Sequence, residues 1–240
     1  MANIRELQNR MKSIQDTMKI TNAMYMISST KLKKVKKSLE GTEQYFFTLQ
    51  TSLARIIRHL PDIENKYFDM RLEKPEEEKT VGIIVVTADK GLAGAYNHNV
   101  IKLAGEEMDK RCSFRLFVVG ELGRQYYAAR HISVAEHFNY TAQNPSLHRA
   151  RVISETVLEQ FLSGELDEVY IIYTEMKNGI VSEAKKLKLL PLVKENIEDR
   201  AEQLGIVPYN DDIALMPSPE AVIDNVVPDC IMGYVYGALV

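Results

Sequence analysis

The segment TADKGLAGAYN (residues 87–97) is where this 240-residue chain comes nearest to a recognisable chemistry. It follows a β-branched run and carries glycines at 91 and 94, so its backbone N–H groups could cradle a phosphate where a strand turns into a helix. The spacing argues against that use. There is no G-x-G-x-x-G and no G-K-[ST], and the next strand ends at Val119-Gly120 without an acidic residue for a ribose. The glycines then read as turn formers, or as part of a loop that touches another protein. His59, His98, His131, His137 and His148 form no H-E-x-x-H, and Cys112 and Cys230 supply neither a C-x-x-C nor a nucleophile signature. The pairs Glu106-Glu107 and Asp211-Asp212 are adjacent, which on regular structure sends their carboxylates in different directions. No catalytic, cofactor or metal site is expected. The run KLKKVKK, with Lys31, Lys33, Lys34, Lys36 and Lys37, lacks the Arg or Asn that would read base edges, and an acidic protein surface suits it better than nucleic acid.

The elements that must carry these residues differ sharply between the two ends of the chain. Steps of three and four residues mark an apolar seam from Ile4 and Leu7 through Met18, Tyr25, Leu32 and Leu39 to Phe46, Leu53 and Leu60 without a break in phase. With no proline before Pro61 and only Gly41 as a weak point, residues 1–60 predict one coiled-coil helix, about 85 Å long at about 1.5 Å per residue. Its seam turns polar at Thr21 and Ser28, while Ile20, Met24 and Ile27 put apolar bulk on an adjacent face. Such a helix needs protein on more than one side. The stretch beginning near Pro219 is the one candidate for an antiparallel mate within these residues.

After the charged run RLEKPEEEK, read as a solvated linker within residues 61–79, the pattern becomes alternating strand and helix. VGIIVV (81–86), FRLFVVG (114–120), a weaker run at 132–138 and DEVYIIYTEM (167–176) read as strands, with helices near 98–111, 121–130 and 144–161. SEAKKLKLLPLV reads as a final strand and 194–219 as mostly irregular. The fold class is α/β: a long N-terminal coiled-coil helix, a Rossmann-like parallel α/β domain over 80–205, and a connector plus the start of a C-terminal helix over 206–240.

Composition agrees with a folded chain. It is 45% hydrophobic and 26% charged, with 12 Gly and 8 Pro, and it contains no run of about 18 uncharged apolar residues that could span a membrane. The N-terminus has no apolar core of a secretory signal, and two cysteines make no disulfide framework, so a reducing compartment is expected. Residues 1–60 hold 11 basic against 4 acidic residues, net +7, and the rest 19 against 29, net −10. A basic segment joined to an acidic body marks a segment that meets an acidic partner.

Five blocks, in order and covering essentially the whole chain, closely resemble the γ subunit of F-type ATP synthases. They are IRELQNRMKSIQDTMKITNAMYMISSTKLKK, VTADKGLAGAYNHNVIK, VGELGRQYY, DEVYIIYTEMKN and PSPEAVIDNVVPDCIMGYVYGALV. The resemblance implies a non-catalytic central shaft. Its N-terminal helix pairs with a C-terminal helix inside a ring of alternating α and β subunits, and its α/β domain lies at the foot beside the ε subunit and the membrane c-ring. Rotation of the shaft then couples ion flow to ATP synthesis or hydrolysis on the β subunits. Position by position, Ile20, Thr21, Met24 and Ile27 match the shaft segment facing the catalytic domains, with Lys31, Lys33 and Lys34 just beyond it against acidic loops. Asp89, Lys90, Gly91, Leu92, Gly94 and Asn97 match a loop packed near the same acidic region. Ala93 stands where some relatives have cysteine, and no cysteine-pair insertion of the plant type is present. The family continues for several helical turns beyond the position of Val240. The lack of a transit peptide points to a bacterial protein held peripherally on the cytoplasmic side of the cell membrane, with no direct membrane insertion. Two readings outside the family are a nucleotide-dependent α/β enzyme and a homodimeric coiled-coil adaptor.

Overall fold

The computed structural model describes residues 4–138, 142, 144–177, 181–194, 197 and 214–240. The expected irregular stretch over 194–219 falls largely outside the described residues. Helix α1 runs unbroken over Ile4–His59, ending just before Pro61 as the seam requires. The chain divides into two compact units, Met1–Gln44 and Tyr45–Val240.

In the first unit the described residues form a single helix most of whose apolar side chains face solvent, with Val35 and Leu39 half-buried. Ile4, Met11, Ile14 and Met18 are all exposed, and among them Ile4 retains 73% of its surface. Thr17, Thr21 and Thr30 each donate to the carbonyl four residues back, which satisfies their hydroxyls without an outside partner.

The second unit holds a five-stranded sheet in the order β3-β2-β1-β4-β5, formed by β1 (Thr80–Val86), β2 (Ser113–Val119), β3 (Glu136–Phe138), β4 (Glu168–Met176) and β5 (Ser182–Leu190). β1 lies at the centre, parallel to β2 and β4, with Ile83 opposite both Leu116 and Tyr170. The continuous β-branched run of β1 is explained by burial on both faces. Helices α2 (Tyr96–Met108) and α3 (Glu121–Ala129) follow β1 and β2, and Val100, Ala104 and Tyr127 join Ile83, Val85 and Val118 in one core. Helices α4 (Leu147–Leu162) and α5 (Pro219–Leu239) pack on each other and on β4. Both are capped by serines, Ser146 accepting from the Arg149 amide and Ser218 from the Ala221 amide, with Pro219 at the first turn of α5.

The sheet departs from the all-parallel expectation at its last strand. β5 runs antiparallel to β4, because the chain returns directly as a hairpin rather than through a crossover helix. Ion pairs fasten it. The buried Glu107 of α2 accepts from Lys186 at 2.8 Å, and Glu168 accepts from Lys188 at 2.7 Å and from the Tyr170 hydroxyl at 3.0 Å. Burial pushes the Glu107 carboxyl up, but Lys186, Arg111 and Lys110 together outweigh it and hold it below the usual glutamate value.

The lower part of α1 belongs to this unit and is packed. Phe46, Leu53, Ala54, Ile56 and Ile57 are buried, and the Phe46 ring lies 6.2 Å from that of Tyr236 on α5. A Cβ on Gly233 would stand 2.4 Å from the Phe46 ring, so only glycine allows the helices this approach. Tyr45 donates to Asp229 at 3.2 Å while Lys66, beyond the end of α1, pairs with Asp224 at 3.0 Å; the two helices are antiparallel.

The charged segment read as a solvated linker is instead tied down. Asp167, with only 2% of its side chain exposed, takes Arg71 at 2.7 Å, Lys74 at 2.5 Å and the Thr80 amide at 2.7 Å. Arg71 also donates to the carbonyls of Leu166 and Phe161 and lies over the Phe161 ring, 4.6 Å from its centre. Burial raises the Asp167 carboxyl, yet hydrogen bonds from Lys74, Thr80 and Arg71 prevail and keep it below the ordinary 3.8. Lys79, 5% exposed, donates to Glu76. Arg71 and Lys74 looked solvated because their shared partner lies 96 and 93 positions away in sequence.

Candidate functional site

On α1, successive residues turn by about 100°, so Ile20, Met24, Ile27, Lys31 and Lys34 lie within an arc of about 80°. All five are exposed. The seam residues Met18, Thr21, Tyr25 and Ser28 centre about 120° away by the same rotation. The helix of the first unit therefore carries two apolar faces, and Lys31 and Lys34 extend the one formed by Ile20, Met24 and Ile27. Lys33 falls on neither, pointing about 140° from Ile20. A single helix thus leaves two apolar faces uncovered, with cations continuing one of them.

The second expected site, in the other unit, is a loop with a rigid base and a bare tip. The Thr87 amide and hydroxyl both donate to the Val119 carbonyl, at 2.9 and 2.8 Å, and the Thr87 hydroxyl accepts from the Gly123 amide at 3.0 Å. Gly120 has φ +93°, and a Cβ there would meet the Thr87 carbonyl oxygen at 2.1 Å. Asn97 accepts from the Ala88 amide at 2.8 Å, and Asp89 accepts from the Glu121 amide at 3.2 Å. These two side chains shape the loop from within rather than presenting themselves outward. Lys90, Gly91, Leu92, Ala93 and Gly94 form the tip, all exposed, with Leu92 at 92% and held at φ +67°. A leucine in that backbone region costs roughly 1 kcal/mol. An apolar side chain displayed in this way on a stapled loop has the form of a protein-contact element rather than a phosphate cradle.

A crevice of about 380 Å³ does lie at the start of α2, lined by Ala93, Ala95, Tyr96, Asn99, Thr174 and neighbouring β5 residues. It occupies the point where the strand order reverses, the usual ligand position in such sheets. Its lining carries no basic side chain for a phosphate and no acidic one for a ribose. Burial raises the Tyr96 hydroxyl above its ordinary value. Among the described residues no group of three or more His, Cys, Asp or Glu could hold a metal ion.

The model of the ATP synthase family, drawn from its γ subunits, matches residues 3–240. The chain belongs to the ATP synthase γ chain family. It is 42% identical over 248 residues to the ATP synthase γ chain of Acetivibrio thermocellus, a match that takes in 100% of this chain and 81% of that protein. The sodium-ion-specific ATP synthase γ chain of Acetobacterium woodii is 32% identical over 255 residues, covering 99% of this chain and 81% of that protein. Among solved structures, the central stalk of the Tetrahymena thermophila mitochondrial ATP synthase superposes with a TM-score of 0.63 at 25% identity, over 92% of this chain and 91% of that one. This γ chain is thus a central-stalk subunit of an ATP synthase and carries none of its catalysis. No described helix is long and apolar enough to cross a membrane.

The sequence had not revealed the fastening of residues 71–80 or the inward use of Asp89 and Asn97. A signal for the second existed: Asn97 lies at the start of a helix, where a short amide side chain characteristically bonds nearby backbone.

Proposed function

We propose that this γ chain rotates as the shaft of an F-type ATP synthase, and that its two-faced helix is the bearing surface against the α and β subunits. Ile20, Thr21, Met24 and Ile27 ride against the moving catalytic domains, and Lys31 and Lys34 meet acidic loops at the next level, with Lys33 flanking them. The tip residues Lys90, Gly91, Leu92 and Gly94 touch the same acidic region, held in place by Asp89 and Asn97. An asymmetric shaft in a three-fold ring makes different contacts with each β subunit, so each orientation favours a different set of open and closed sites. Exposed ion pairs contribute little individually, which suits a surface that must bind and release in turn. The α/β body contacts the ε subunit and the membrane c-ring, and the subunit is peripheral to the cell membrane on its cytoplasmic side.

The observation that carries this reading is the pair of uncovered apolar faces on one helix, joined to the family assignment. A homodimeric coiled coil would cover one seam and leave Ile20, Met24 and Ile27 bare. The test is to mix the subunit with purified α and β subunits and record complex mass and ATPase rate together. One γ per ring with a raised ATPase supports the shaft. Self-association without ring binding, at low and moderate salt alike, would replace it with the adaptor.

A further inference from the structure

The connection from the foot of α1 to the central strand of the sheet is bonded along its length. Lys194 donates to the carbonyls of Pro61 and Ile63, Asp224 takes Asn65 and Lys66, and the Leu192 amide donates to Tyr67. Arg71 and Lys74 then close on Asp167, which also bonds the Thr80 amide, while the Asp167 amide returns a bond to the Thr80 carbonyl. A tether needs none of this. Arg71 stands at φ +47°, a backbone region that arginine rarely adopts, and its guanidinium has three oxygen acceptors and an aromatic face to hold it there. Strain kept in place by a buried charge marks a joint that must not relax.

We propose that residues 60–80 are a torque strap and that Asp167 is its lock. This rests on the shaft reading and deepens it. Load entering through the α/β body reaches α1 by two routes, the side-chain packing of α1 on α5 and the covalent path through residues 60–80. Packed apolar side chains resist separation but slide; a charge-assisted clamp across the strap resists shear, because it holds both chain direction and register. Asp167 sits where the strap enters β1 and β4 begins, so freeing it releases the strap from the sheet at the point where the two meet. Asp167 is a positioning residue, since the reacting nucleotide is bound elsewhere.

The test uses the assembled synthase in vesicles, reading ions pumped per ATP hydrolysed, beside the ATPase rate of the same complex. Asp167→Asn should lower the pumping ratio at least about three-fold while hydrolysis changes less than about two-fold. Lys74→Met, which removes a partly exposed partner and spares the buried acid, should give a smaller fall of the same kind. Glu121→Gln breaks an exposed pair away from the strap, with Arg124, and should leave the ratio unchanged. If Asp167→Asn does not fold, Lys74→Met decides the matter with Lys74→Arg as its rescue. An unchanged ratio in the folded variants, or a ratio that falls only in step with hydrolysis, overturns the strap. Failure of the wild-type subunit to assemble would overturn the shaft itself.

Discussion

The same heptad pattern has two fates along one helix. Over Phe46–Ile57 of α1 the seam is covered by α5 and its neighbours, whereas from Ile4 to Leu32 the equivalent positions stand open. Composition does not separate them, since both stretches carry large apolar groups at steps of three and four. What differs is supply: the second unit provides its own mate for the lower seam, and the upper seam has none within the described residues. A seam alone therefore specifies that a helix will be covered, and the identity of the cover has to come from elsewhere in the assembly. The faces proposed as the bearing belong to the region left uncovered among the described residues.

Amide exchange in the isolated subunit would break this comparison most directly. A helix without tertiary cover is only marginally stable, while the lower seam opens with the whole unit, so amides over 4–44 should exchange at least about a thousand-fold faster than those of Leu53–Ile57. Comparable protection in both would mean that the upper helix is already paired. Truncation sharpens the contrast. Leu53→Ala, at a position 3% exposed, should cost about 2–5 kcal/mol in denaturant unfolding, and Ile14→Ala, at 68%, within about 0.5 kcal/mol. In the assembled ring the balance should shift, with Ile14→Ala or Met24→Ala weakening assembly that the isolated subunit never felt.

The strap gives a pH-dependent version. The Asp167 carboxyl lies below its ordinary 3.8, so its contribution is complete above that value and drains away as pH falls through the lower native one. Wild type should exceed Asp167→Asn by about 2–3 kcal/mol near neutrality, with the gap closing below about pH 4. A gap that stays constant into acid would remove the carboxylate from the explanation. The smallest effect concerns the thiols. Burial, with Asp229 adding to it, pushes Cys230 up to about 12, while Cys112 is exposed. One thiol per chain should react with a maleimide in the folded subunit and the second only on unfolding.

Much of this was legible because local pattern and burial coincide. Pro61 and an unbroken seam set the length of α1, and the β-branched runs set β1, β2 and β4, since a strand buried on both faces leaves little else to be. The direction of β5 was not legible: SEAKKLKLL has the same composition whichever way it pairs, and its register depends on Glu107 and Glu168 far along the chain. Arg71 and Lys74 were misread for the same reason, their partner being one buried aspartate. At the loop, the tip could be read from its glycines, but the roles of Asp89 and Asn97 are set by an amide of α3 and one of the loop itself that only folding brings within reach.

The close approach at Gly120 also bears on how this protein can vary. With the Thr87 carbonyl 2.1 Å from where any side chain would begin, position 120 admits one amino acid, and Gly123 is nearly as confined. Gly94, by contrast, has open space around it and is limited only by its backbone angle. A saturation library over the loop should therefore return a frozen base and a permissive tip, and any further intolerance at Leu92 would be the imprint of the neighbour it touches rather than of its own fold.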